Sequence, residues 1–475
     1  MPLKIRIFLV SGIIFLNFAA LSAQKEWDLQ ECVDYALENN IQIKQSRINS
    51  LYYENQLEQA KYNLFPTLNA SVGYGVSFGR ALDQTTYEFT QDQTVQSVNP
   101  QISSSVTLFN GLVQMNTIDQ REFDYRQNLA QLEKLKNDIS LNIAGQYLQI
   151  LFNEELLAVA REQLEVTSAQ VERTKALVDA GSVALGNLFE IESQQAADEL
   201  RVINAENNLA ISYLTLSQLL ELDSVEGFKI VIPEISTISE ENLLVPVNQV
   251  YAEALDILPQ IKSAEYGLLS SMEGLDIARG TRLPRLNLTA SYGTGYSDIR
   301  ETVTDIEEVT IPIGVTESGE EVIATTSSPI YGAYPIGDQF KDNASTSLFL
   351  NLSVPIFNNF QVKNNISNAE LSIDNAKLEL ENQKNILFKE IQQAYADAVA
   401  ALKRFNASEK ALVAMQESFK YTREKYEVGL VNAVDFTIAQ SQLIQTQSEL
   451  LQAKYDFIFK TSILSFYRGQ PITIE

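Results

Sequence analysis

The chain has 475 residues, with 61 acidic against 35 basic side chains, a formal charge of −26, no histidine and one cysteine. Without histidine there is no imidazole base or metal ligand and no usual serine or cysteine triad, and one cysteine permits no internal disulfide. So acidic a chain is also a poor partner for nucleic acid or anionic headgroups.

The first elements are addresses rather than structure. Lys4 and Arg6 precede an apolar run from Ile7 to Ala20 and the small-residue stretch Leu21-Ser22-Ala23. This reads as a secretory signal peptide over 1–23, too short to be a retained anchor, so the mature chain begins near Gln24. Cys32 lies too far beyond the apolar run to be a lipidated first residue. It falls at helical spacing among Trp27, Leu29, Val33 and Leu37, which makes it packing rather than chemistry.

Beyond Pro66 the alternation is strict. Leu68, Ala70, Val72, Tyr74, Val76 and Phe78 fall on one face, and Asn69, Ser71, Gly73, Gly75 and Ser77 on the other, which predicts a strand. Gln101 to Phe109, Leu286 to Tyr292 and Leu348 to Ile356 alternate in the same way. Each has the length of a tilted membrane strand, with small polar residues where a wet lumen would lie. A soluble sheet lying on a core shows the same alternation. Four strands cannot close a barrel, so if these strands span a membrane, several chains must pool theirs. The links between paired strands, Phe78 to Gln101 and 297–347, are polar and acidic and are expected at the outer face or as a plug.

From Leu112 to Asp179 there is no proline and a single glycine, Gly145, with apolar residues recurring at three and four. A continuous helix there would run roughly 100 Å. Val362 to Tyr426 repeats the pattern, which is coiled-coil spacing. Ala180-Gly181-Ser182 and Val428-Gly429-Leu430 predict helix-ending turns, after which helical periodicity resumes over Leu188–Leu222 and Phe436–Phe466. The acidic pairs Glu154-Glu155 and Glu307-Glu308 read as solvated faces.

The chain also repeats itself. Ala36-Leu37, Ile43-Lys44 and Pro66 recur 218 residues later as Ala254-Leu255, Ile261-Lys262 and Pro284. Phe109, Tyr147 and Gly181 recur 248 residues later as Phe357, Tyr395 and Gly429. The chain is thus a tandem duplication: a first repeat over 24–222, a linker over 223–246 and a second repeat over 247–475, whose loop 297–347 is enlarged. Each half reads helix, strand, strand, long helix, turn, helix.

The repeat, the strand pairs after Pro66 and Pro284, and the turn Tyr426-Glu427-Val428-Gly429-Leu430 followed by Asp435 together resemble the TolC family of outer-membrane efflux proteins. The resemblance implies an α+β membrane protein in which each chain gives four β-strands to an oligomeric transmembrane barrel. Long antiparallel coiled-coil helices continue the barrel as a periplasmic tunnel. It further implies a homotrimer in the outer-membrane lipid, with Gly181, Ser182, Val428, Gly429 and Leu430 forming tips that dock onto a periplasmic adaptor and an inner-membrane pump. No catalytic residue, cofactor or metal is expected.

In that family a tyrosine before the second tip glycine helps hold the entrance closed by bonding an aspartate after the first. The tyrosine matches Tyr426, while the aspartate position is Asn187, whose uncharged amide makes a weaker acceptor. A closure-supporting arginine position is Val431. Of two aspartates forming an acidic ring, one matches Asp435 and the other is Ile438. The plain structural alternative for Asp435 is an N-terminal helix cap. The expected function is a passive efflux exit duct for small molecules with a loosely locked entrance. Its rivals are an outlet for type I protein secretion or metal-ion efflux, and a coiled-coil rod or adhesin without a pore.

Overall fold

A computed structural model describes residues 26–80, 89, 93–233 and 245–472. The expected leader and residues 234–244 of the expected linker lie outside them. The first half opens with the two-residue strand β1 (Glu26–Trp27) and the helices α1 (Leu29–Asn39) and α2 (Ile41–Tyr62). It continues with strands β2 (Thr67–Gly79) and β3 (Gln93–Phe109), then α3 (Val113–Asp179) and α4 (Leu185–Leu219). After β4 (Lys229–Ile230) the second half brings α5 (Val247–Ile257), α6 (Pro259–Gly280) and β5 (Arg285–Gly293). Next come β6 (Tyr296–Ser297), β7 (Glu301–Val315), β8 (Glu321–Ala333), α7 (Ile336–Asp342) and β9 (Ser345–Ser353). The chain closes with α8 (Gln361–Glu427) and α9 (Ala433–Tyr467).

Corresponding helices have the same length in both halves: 11, 22, 67 and 35 residues. Local chemistry sets these limits. Asp28 and Glu31 form a capping box that starts α1. The helix then breaks at Asn40, whose side chain accepts from the Gln42 and Ile43 amides. In the second half the break falls before Pro259, which can begin a helix but not continue one.

Compact units cut across the repeats. One unit draws on Tyr52–Arg126 and Glu265–Leu378. Its sheet is antiparallel in the order β2-β3-β5-β9, with β6 added beside β3. The register aligns the faces row by row. Thr67, Ser105, Thr289 and Phe349 form one row, and Asn69, Ser103, Ser291 and Ser347 the next. Between them Leu68, Ser104, Ala290 and Leu348 share the opposite face, as do Ala70, Ile102, Tyr292 and Thr346. One side is therefore largely apolar and the other almost wholly Ser, Thr, Asn, Gln and Gly. The apolar side is bare within the chain, with Leu68, Val72, Phe78 and Leu348 all exposed.

The structure revises two strand limits. β3 starts at Gln93 rather than Gln101, and β9 ends at Ser353, short of Ile356, because Pro355 has no amide to donate. The enlarged loop is not irregular. It holds the hairpin β7–β8 and the short helix α7, whose wholly buried Gln339 accepts from the Ser297 amide and donates to the Ser297 and Tyr334 carbonyls.

Both strand-to-helix elbows use two consecutive left-handed residues, Gly111-Leu112 and Asn359-Phe360. At the first, the Gly111 and Gly280 backbones approach so closely that a Cβ on Gly111 would stand 2.2 Å from the Gly280 carbonyl oxygen.

The other unit comprises Met1–Leu51, Gln127–Ala264 and Glu379–Glu475. Its largest apolar cluster gathers Cys32, Ile43, Ile143, Tyr147, Leu151, Leu216, Leu220 and Ile230. Cys32 is fully buried, as its spacing implied. β1 pairs in parallel with β4, and the Tyr147 hydroxyl donates to the Val231 carbonyl at 2.6 Å, tying α3 to that pair. Glu154-Glu155 is not a solvated face. The Glu155 carboxylate accepts from Lys454 at 3.0 Å and from the Tyr455 hydroxyl at 2.6 Å, because α9 packs across it.

Candidate functional site

The two helical turns are built alike. After α3, Gly181 takes φ +70 and the Ser182 amide donates back to the Leu177 carbonyl at 2.8 Å. After α8, Gly429 takes φ +76 and the Leu430 amide donates to Lys425 at 2.9 Å. Both are Schellman closures, in which glycine supplies the left-handed residue without steric cost. Nothing lies within 4 Å of a Cβ placed on either glycine, so both tips are open.

Their side chains differ. Val428 and Leu430 are 70% and 76% exposed, whereas their counterparts in the first half are Ala180 and Ser182. The first tip carries its apolar surface on the returning helix instead, where Leu185 and Phe189 are exposed. Val434 and Ile438 extend the second tip's apolar surface. Phe189 and Val434 escaped the sequence reading because an exposed apolar residue in a helix looks like any other core position until its neighbours are known.

The expected gate residues are not all brought together. Tyr426 is half-buried, and its ring stacks on Phe436 at 4.5 Å, with Phe419 against the other ring at 5.5 Å. It packs on a cluster of Val171, Leu188, Ile191 and Ala433, which joins the two helical hairpins. Asn187 sits in the first turn of α4 and makes no side-chain hydrogen bond with Tyr426. Val431 is half-buried and Ile438 exposed. Arg173 faces Glu427 at 3.9 Å, a second link between α3 and α8 close to the tips.

Asp435 is exposed, but it is not the helix cap: the Asn432 side chain caps α9 by accepting from the Asp435 amide at 2.8 Å. Asp435 stands in the first turn, where a carboxylate is favoured by the helix dipole and remains available to solvent.

Farther from the tips a buried polar knot holds the hairpins in register. The Thr167 hydroxyl donates to Asp198 at 2.7 Å, and Asp198 also accepts from Gln194 and Arg201. Gln440 of α9 reaches Thr167 at 3.4 Å. Asp198 is fully buried and both of its carboxylate oxygens accept from donors, Arg201 among them, which is what keeps a carboxylate tolerable there.

A duplicated chain with two membrane-length strand pairs and two long helical hairpins is the plan of an outer-membrane export channel. The profile of the Outer membrane efflux protein family matches residues 32–221 and 250–458, and the chain belongs to that family. It is 23% identical to the Toxin and drug export protein A of Aggregatibacter actinomycetemcomitans over 91% of this chain and 84% of that one. It is 20% identical to the Cation efflux system protein CusC of Escherichia coli O157:H7, over 88% and 81%. Its fold matches the Campylobacter jejuni CmeC outer membrane channel with a TM-score of 0.74 at 16% identity, covering 93% of this chain and 85% of that one. The chain is thus an outer-membrane exit duct of the efflux type, and its family consists of transport conduits rather than enzymes.

Proposed function

We propose that the chain is one of three identical protomers of a tripartite efflux system, conducting small molecules passively across the outer membrane. The observation that carries this reading is the sheet β2-β3-β5-β9, apolar on one face, small and polar on the other, and, among the described residues, without a partner on the outer edge of β2 or β9. An open edge inside hydrocarbon costs several kcal/mol per unpaired backbone group. Pooling strands from identical chains removes it, and three chains give a twelve-stranded barrel with a wet lumen.

The exposed apolar tips around Gly181 and Gly429 suit a helical periplasmic adaptor, and an inner-membrane pump supplies the energy. Closure of the entrance rests on Tyr426 packing against Phe436 rather than on a hydrogen bond to Asn187, and Asp435 supplies carboxylates at the mouth. The relatives' names, drug and toxin export in one and cation efflux in the other, support a solute cargo.

Planar-bilayer recording of the purified oligomer tests this. Open-channel events with cation-selective reversal potentials are expected, and Asp435→Asn should lower the cation preference. Silence from both proteins, or anion selectivity of the parent, overturns the reading.

A further inference from the structure

The internal duplication fixes more than the presence of a seam between copies. Two numerical offsets relate the halves: β2 corresponds to β5 at 218 residues and β3 to β9 at 248. The hairpin registers obey both, since Thr67 pairs with Ser105 and Arg285 with Ser353. The chain also contains one seam between repeats, where β3 meets β5 with Gln101 opposite Gly293, Ile102 opposite Tyr292 and Ser104 opposite Ala290. The equivalent seam would join β9 of one copy to β2 of the next. Among the described residues these are the two free edges of the sheet, and their directions make the junction antiparallel.

Resting on the oligomeric duct reading, we infer that β9 of one copy pairs with β2 of a second copy with Phe349 opposite Gly75. Carrying the offsets through, Leu350 then stands opposite Tyr74, Asn351 opposite Gly73 and Leu352 opposite Val72. This register keeps the apolar face continuous across the junction and the polar face likewise. A slip by one residue would turn one strand's apolar set toward the lumen.

The same register explains Phe349. On the four central rows of the polar face it is the one aromatic side chain among Ser, Thr, Asn, Gln and Gly, and it is 63% exposed within the chain. Its counterpart Gln101 covers Gly293, where a Cβ would meet the Gln101 Cγ at 3.6 Å. Edge strand β2 offers the same bare backbone: a Cβ on Gly75 would meet only the Ser97 hydroxyl, and one on Gly73 nothing within 4 Å. A phenyl ring laid over an edge glycine shields its backbone from water and pins the register, a recognised device in sheets. Phe349 is thus a wall-to-wall contact between copies.

Cysteine pairs in the full chain test the register, with Cys32 replaced by Ala. Tyr74→Cys with Leu350→Cys should give a covalent oligomer on a non-reducing gel. Leu350→Cys combined with Val72→Cys or with Val76→Cys should not. Positions 74 and 350 lie on opposite edges of a four-strand sheet and in different rows, so they stand more than roughly 14 Å apart, the width of three strand spacings, and no bridge forms within one chain. Ile102→Cys with Tyr292→Cys, the observed equivalent pair, should close internally and shows that the geometry permits a bridge. Phe349→Ala should shift oligomer dissociation to lower temperature.

Preferential linking by a shifted pair overturns the register. So does failure of the 74–350 pair in a protein that still conducts and whose 102–292 pair closes. A protein that neither links nor conducts brings down the duct reading with it.

Discussion

Cys32 shows how completely a side chain's surroundings decide its chemistry. Burial first, then the nearby carboxylates of Asp28 and Glu31, push its thiol from an ordinary 9.0 up to about 12. Burial also raises the Tyr213 and Tyr467 phenols from 10.0 to about 12. In each case the fold holds the proton that the unfolded chain would release. The stability these groups contribute is therefore full below about pH 9 and falls as the pH climbs from there toward 12. Unfolding midpoints followed by circular dichroism should drop between pH 9 and 11, and a thiol reagent at pH 8 should label Cys32 only after denaturation. Native labelling at the denatured rate would contradict this. The burial of Cys32 was legible from its spacing among apolar neighbours. The bond from Tyr147 to the Val231 carbonyl was not, since its partner is a backbone oxygen 84 residues away that no side-chain pattern announces.

Among the elements, glycines sort themselves by what surrounds them. Gly111 and Gly181 share a left-handed backbone, but only Gly111 meets a facing backbone. Gly181→Ala should therefore cost about 1 kcal/mol, the ordinary penalty for a left-handed alanine. Gly111→Ala should cost about 3 kcal/mol or more, because the Gly280 carbonyl must also move. Denaturant unfolding of the two variants distinguishes these values, and equal losses would show that the elbow yields freely. The strands β2, β5 and β9, the Gln101–Phe109 part of β3 and all four long helices could be read from periodicity, because each holds one period over the stretch that was read. Hairpin β7–β8 could not. Its register shifts between Val303 and Asp305 and again between Pro312 and Gly314, and each bulge moves the following side chains to the other face. The gate was legible only as a set of positions, since whether Tyr426 bonds or stacks depends on Phe436 of the returning helix.

For the whole molecule, duplication and interleaving act together: each compact unit takes segments from both halves of the chain. The hairpin β7–β8 belongs to the second half only and falls within its 30 extra residues and their flanks. Between Arg300 and Lys341 the chain has no lysine or arginine, but it has Glu301, Glu307, Glu308, Glu317, Glu320 and Glu321. Trypsin thus has no bond to cut anywhere in that segment, however exposed it is, whereas a glutamate-specific protease has six. If the hairpin faces the cell exterior, intact cells treated with the glutamate-specific enzyme should yield a chain nicked within 301–321, and trypsin should leave the same stretch whole. Protection from both enzymes would place the hairpin inside the duct. An acidity that at first only excluded partners thus gives this surface a digestion signature by which its side of the membrane can be read.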